Sequence, residues 1–147
     1  MIILVCTHPG VARKVQADAE TLMSAGEIQV LHGVSDEHLA DLYRHSGVFV
    51  FPSYEEGFGL PPVEAMASGA PVIASNAGAL PEVLGDAAIL VPPSDIEGLA
   101  MALESVLTDR TLADSLRHRG LQHSRRYTWE KTARETLAVY EAVLSGS

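Results

Sequence analysis

Apolar residues along this chain fall into short unbroken runs separated by longer stretches in which they recur every three or four positions. Ile2–Cys6, Val48–Phe51, Val72–Ala74 and Ala88–Val91 are the unbroken runs, and Ile28–Leu31, ended by His32 and Gly33, reads as a further strand. Runs of this length without alternation predict strands of a parallel sheet covered on both faces. Between them, Val15, Ala19, Leu22 and Met23 recur at helical spacing and predict a helix over 11–25, after a turn at Thr7-His8-Pro9-Gly10. Ser35 is placed to cap a helix whose first turn holds Asp36 and Glu37, where negative charge favours the dipole, and whose apolar stripe is Leu39, Leu42 and Tyr43. Pro61 and Pro62 suit the first turn of another helix, where a missing N–H leaves no bond unmade. Helices are predicted over 95–107 and 111–126, and a terminal one capped by Thr128 carries Trp129, Ala133, Leu137, Tyr140 and Leu144. Strand and helix signals alternate throughout, which predicts a doubly wound, Rossmann-like α/β sheet with helices on both faces.

At 147 residues and 47% hydrophobic content, the chain has the size and core material of one ordinary domain. No apolar stretch reaches the roughly 18 residues that a membrane span needs. The opening apolar run is too short for a signal-peptide core and has no basic region before it; it reads as a buried strand. A single cysteine, Cys6, leaves no internal disulfide to form and suits a reducing, cytoplasmic setting. It reads as a strand-end core residue.

Charge is distributed unevenly. The formal net charge is −9, and none of the ten Lys and Arg residues lies between Arg44 and Arg110. That window holds Glu55, Glu56, Glu64, Glu82, Asp86, Asp95, Glu97, Glu104 and Asp109. A surface of this kind repels nucleic acid and anionic lipid. Arg117, His118, Arg119, His123, Arg125 and Arg126 form a basic helix face, read as a solvated counterweight to the acidic body rather than a docking site. His32, Asp36 and His38 are metal-ligand types, but their spacing closes no ligand set, and they read as solvated loop residues; no metal is expected.

The densest chemistry lies in Tyr54-Glu55-Glu56-Gly57-Phe58-Gly59-Leu60-Pro61-Pro62-Val63-Glu64. Two carboxylates flank a glycine turn and a proline-started helix. Gly57 and Gly59 remove side chains where a ligand must approach the backbone. Amides around Gly59 and Leu60 then face out from a positive helix terminus, as a diphosphate or sugar hydroxyls require. Glu64, one turn in, can bind two adjacent hydroxyls through its two oxygens.

Glu56 and Glu64, eight positions apart with Gly-Phe-Gly-Leu-Pro between them, resemble the signature of the retaining, nucleotide-sugar-dependent glycosyltransferases of the GT-B fold, family four or group 1. Val48–Ser53, Gly69–Ser75, Gly78–Glu82, Ser35–Leu39 and Tyr127–Glu130 follow in that family's order. The resemblance covers the whole chain, 1–147, as the later part of the C-terminal, donor-binding domain. It implies that Glu56 meets the donor sugar at the reacting carbon, that Gly57, Phe58, Gly59 and Leu60 meet sugar or diphosphate, and that Glu64 holds the ribose. Gly33 and Val34 are where relatives contact the base. The implied partner is a UDP-, GDP- or ADP-sugar, with no cofactor and no metal. The implied reaction is glycosyl transfer to an acceptor hydroxyl by a parent enzyme in the cytoplasm or at the inner membrane face.

Three departures qualify that expectation. The chain begins at what resembles the domain's second strand. It carries no counterpart of the Arg and Lys that relatives supply for the diphosphate, and the N-terminal acceptor domain is absent. The isolated chain is therefore expected to be inactive and at best a weak nucleotide-sugar binder. Without a central first strand, the Ile2 and Val48 strands must pair with each other, borrow a strand or leave edges exposed, and self-association through that gap is expected. The rival readings are a fragment of a GT-B sugar-nucleotide epimerase and a non-catalytic binding or assembly domain.

Overall fold

The computed structural model describes residues 1–6, 9–22 and 27–146, with the backbone alone for 20–22. Five strands and seven helices alternate along it, and the strands form two parallel sheets. The chain divides into two compact units, Met1–Leu39 and Ala40–Ser147, each described by itself.

In the first unit, β1 (Ile2–Cys6) and β2 (Ile28–His32) pair in parallel from Ile2 against Ile28 to Cys6 against His32. Helix α1 (Pro9–Leu22) connects them and buries Ala12 and Ala19. It starts at Pro9, two residues before the predicted start, because Pro is preorganised for a first helical turn. Thr7 and His8 of the predicted turn, and Met23 and Ala25 of the predicted helix, lie outside the described residues. The expectation that β1 is buried is corrected: Ile2 and Val5 are 48% and 44% exposed. An apolar run specifies a strand, but burial on both faces needs a covering layer on each, and the unit's one helix connection supplies too little. Cys6 is half-buried at the strand end. Ser35 caps as expected: its hydroxyl accepts from the His38 amide at 3.3 Å, and its carbonyl accepts from Leu39 at 2.8 Å. The boundary between the units falls within α2 (Asp36–His45).

In the second unit, β3 (Phe49–Phe51), β4 (Val72–Ser75) and β5 (Ile89–Val91) form a parallel sheet in the order β3-β4-β5. All four residues of β4 are buried. Successive side chains point to opposite faces, so both faces of this central strand are covered. Among the described residues, β1 pairs only with β2, and β3 is bonded only to β4.

The sheet is packed by α3 (Leu60–Ala67), α5 (Ile96–Thr108) and α6 (Arg110–Ser124). Ile73 and Val91 meet Ala102 and Val106 of α5 and Ala113 and Leu116 of α6 in one apolar cluster. Asp95 caps α5 by accepting from the Gly98 amide at 2.8 Å. Asp109 caps α6 by accepting from Thr111 and Leu112, so α6 begins one residue before the predicted Thr111. A short helix α4 (Leu80–Leu84) and a 3-10 turn over Gly85–Ala87 follow β4 and were not expected from periodicity, being too brief to show one. The terminal helix α7 (Trp129–Leu144) has its predicted Thr128 cap, with 3.1 Å to the Lys131 amide. It buries none of its residues, and Trp129 is 78% exposed. No helix among the described residues is long and apolar enough to cross a membrane.

Candidate functional site

Glu56 lies in the loop between β3 and α3, and three contacts fix it. Ser53 Oγ stands 3.2 Å from Glu56 Oε1 and 3.0 Å from the Glu55 carbonyl, so its one proton is shared between two acceptors. Ser75, fully buried at the end of β4, donates to the Ser53 carbonyl and ties this loop to the sheet. The Ala79 amide donates to the Glu56 carbonyl at 3.1 Å. Beside it, Gly78 has φ +57, and a Cβ there would lie 2.6 Å from the Glu56 carbonyl oxygen. Glycine is required here both by the backbone conformation and by the space. The Glu56 carboxylate is half-buried and, among the described residues, in no ion pair.

The turn that follows is open on one side. Gly57, Phe58 and Leu60 are exposed, and nothing lies within 4 Å of the Cβ position of Gly57. Gly59 is different. It is buried as the N-cap of α3 with φ 90, and a Cβ there would meet Leu80 Cδ2 at 2.4 Å. Its missing side chain makes room for a core leucine, whereas that of Gly57 leaves open space. Pro61 and Pro62 occupy the first turn of α3 as expected. The amides of Gly57, Phe58, Gly59 and Leu60 donate no hydrogen bond among the described residues. They are the orphan donors of a helix N-terminus and its approach, where partial positive charge collects.

Glu64, one turn into α3, is exposed and also outside any ion pair among the described residues. Its charge reaches Tyr43 of α2. Burial first, and the Glu64 carboxylate second, push the Tyr43 phenol up to about 12. Tyr43 is otherwise held by an edge-on contact with Phe49, ring centres 5.1 Å apart. Glu56, the Gly57–Leu60 turn and Glu64 thus lie together on one loop and one helix start of the second unit. Gly33 and Val34 belong to the first unit, just past β2; Gly33 is exposed with φ +64 and Val34 is half-buried.

Beneath the turn, Phe58 packs edge-on against Tyr127, 5.4 Å between ring centres at 88°. The Tyr127 hydroxyl donates to the Val83 carbonyl at 2.8 Å, and His123 Nε2 lies 2.7 Å from the same oxygen. That carbonyl is one of the last of α4, which lack helical partners, and its two lone pairs take both donors. This overturns the single solvated basic face expected on α6. His123 is buried and Arg119 donates to the Asp86 carbonyl, while Arg117 is paired with Asp114 at 3.1 Å. His118, Arg125 and Arg126 remain exposed. His32, Asp36 and His38 are exposed as well.

Sequence reasoning assigned no site role to Ser53, Ser75, Gly78, Ala79 or Tyr127, and it placed His123 on the solvated face. The Asn76-Ala77-Gly78 turn signal was available for Gly78. Ser53 reaches Glu56 three residues on, whereas Ser75, Ala79, His123 and Tyr127 act across 22 to 44 residues of chain, which local pattern does not reveal.

A family model described as "Glycosyl transferases group 1" matches residues 8–123. The O-antigen chain mannosyltransferase B of Escherichia coli is 39% identical over 116 residues, 79% of this chain and 30% of that protein. The sucrose-phosphate synthase of Thermosynechococcus elongatus superposes with a TM-score of 0.87 at 30% identity, over 99% of this chain and 39% of that one. The C-terminal domain of a group 1 family glycosyl transferase from Francisella tularensis superposes with a TM-score of 0.67 at 28% identity, over 80% of this chain and 62% of that one. The chain therefore spans about a third of the length of the mannosyltransferase it matches.

Proposed function

The chain belongs to the group 1 glycosyl transferases, and from that premise we propose that it forms the donor-binding part of a retaining, nucleotide-sugar-dependent enzyme. The observation that carries this reading is the turn of unbonded amides at the start of α3, with a carboxylate on each side that is in no ion pair among the described residues. Amides of Gly57, Phe58, Gly59 and Leu60 receive the sugar or the leaving diphosphate and stabilise its negative charge as the glycosidic bond breaks. Glu56, held by Ser53 and by the Ala79 amide, binds donor-sugar hydroxyls and supports positive charge developing at the anomeric carbon. Glu64 receives the ribose diol through its two oxygens. Gly33 and Val34 contact the base through their backbone.

The product of the whole enzyme is a hexosyl group on an acceptor hydroxyl. The sequence supplies no Lys or Arg between Arg44 and Arg110 to offset a diphosphate. Amides and a helix dipole alone hold such a group weakly. This stretch, about a third of the length of its mannosyltransferase relative, is thus by itself a weak binder and not a catalyst, since binding energy and alignment from the rest of such an enzyme are needed in the transition state.

An NMR titration with UDP, GDP and ADP tests the reading. Saturable shifts at Gly57–Glu64 that disappear in Glu64→Ala are expected. No shift at millimolar nucleotide would remove donor binding from this chain.

A further inference from the structure

The donor turn projects from the end of the sheet with few bonds of its own, so something else must hold it. Its amides donate to nothing among the described residues, and Phe58 is 39% exposed. Among the described residues, the one aromatic contact that Phe58 makes is with Tyr127, edge-on at 5.4 Å. Tyr127 in turn is anchored at two points. Its hydroxyl is bonded to the Val83 carbonyl, and its ring lies 5.8 Å from that of His123, which bonds the same carbonyl. His123 is buried, and Val83 belongs to α4, whose Leu80 and Leu84 are fully buried. A rigid chain of contacts thus runs from the core of α4 through His123 and Tyr127 to the tip of the turn.

We propose that Tyr127 is a positioning residue for the donor turn, fixing Phe58 and with it the amides of Gly57–Leu60 in the geometry that receives an anion. The aromatic ring does the positioning, and the hydroxyl bond and the His123 ring are two separate anchors, either of which keeps it seated. Preorganised donors bind without a further ordering cost, so a turn loosened by loss of Tyr127 binds more weakly although every donor is still present. This rests on the donor-turn reading above.

Backbone order parameters of the free protein test it without any ligand. In Tyr127→Leu the amides of Gly57, Phe58 and Gly59 are expected to fall from the rigid range near ~0.85 to below ~0.6. Tyr127→Phe, which keeps the ring, should stay near the wild-type values, and Gly69 beyond the far end of α3 should not move in either variant. Phe58→Leu breaks the same contact from the exposed side, so it decides the matter if Tyr127→Leu does not fold. Unchanged order at the turn in the Leu variants, or equal loosening at Gly69, overturns the proposal. Titration with UDP, GDP and ADP then gives the functional consequence. The Kd of whichever nucleotide binds should rise at least threefold in the Leu variants and less than twofold in Tyr127→Phe. If the wild type binds none of the three, the donor reading has failed, while the order parameters still decide whether Tyr127 positions the turn.

Discussion

Gly78 stands where any side chain would strike the backbone of Glu56: a Cβ there would lie 2.6 Å from the Glu56 oxygen and 2.8 Å from its nitrogen. The two residues are 22 positions apart, on opposite sides of α3 and β4 in the chain, and their approach is what lets Ala79 donate to the Glu56 carbonyl. The position of the Glu56 carboxylate is therefore set by a glycine that carries no chemistry.

Gly78→Ala should displace Glu56. Ala at positive φ costs about 1 to 2 kcal/mol by itself, and the contact is with backbone atoms that have nowhere to go. Gly69→Ala is the control, because φ is also positive (+86) but nothing lies within 4 Å of its Cβ position. Urea unfolding should show Gly78→Ala less stable than Gly69→Ala by at least about 1 kcal/mol. The Glu56 amide should shift in the first variant only.

Gly120→Ala sets two effects against each other. Alanine gains up to about 1 kcal/mol of helix propensity in α6. Its Cβ, however, would come within 3.1 Å of Met66 Cγ and 3.3 Å of Met66 Cβ, and Met66 is fully buried. A methionine tip could swing aside, but the Cβ moves only with α3 itself. Overpacking costs about 1 to 3 kcal/mol, so the net result should be destabilisation by roughly 1 kcal/mol, read as a lower urea midpoint. A more stable variant would show that the contact relaxes freely.

Tyr43 links Glu64 to stability at high pH. Its phenol is raised to about 12, by burial and then by Glu64, against about 10 in an unfolded chain. From pH 10 to 12 the unfolded state gives up this proton while the native state keeps it. Stability from this group is complete below pH 10 and is lost as pH rises toward 12. Replacing Glu64 with Gln removes the like charge, so the Tyr43 phenol should titrate at lower pH, measured by its NMR ring shifts. No change would mean that burial alone raises it.

Local chemistry made part of this molecule legible in its sequence. The Thr128, Ser35 and Asp95 caps act three residues ahead, and Pro61 and Pro62 need only a helix start, so each could be read off a few letters. Four apolar runs and the Ile28–Leu31 segment marked all five strands, to within a residue or so at each end. Burial was another matter. The same kind of run is wholly buried in β4 and half open in β1, because covering layers are a property of the assembled unit. His123 shows the limit most clearly. Its neighbours in sequence are basic and polar, which argued for a solvated face, yet a carbonyl 40 residues away draws it into the interior.

Glu56 and Glu64 should fail in different ways if the proposed roles are right. Glu64 is exposed on α3 and would meet only the ribose, so Glu64→Ala should raise the Kd for nucleotide and nucleotide sugar alike, about tenfold or more for a lost charged hydrogen-bonding pair. Glu56 is half-buried and bonded to Ser53, and its proposed partner is the sugar. Glu56→Gln keeps its shape and removes its charge, so nucleotide affinity should change less than twofold. In the whole enzyme, the same substitution should lower kcat by at least about a hundredfold with KM nearly constant, the signature of an interaction made in the transition state. If Glu56→Gln instead weakens bare nucleotide as much as Glu64→Ala does, Glu56 serves the diphosphate or the fold, and the carboxylate at the reacting carbon must be sought elsewhere.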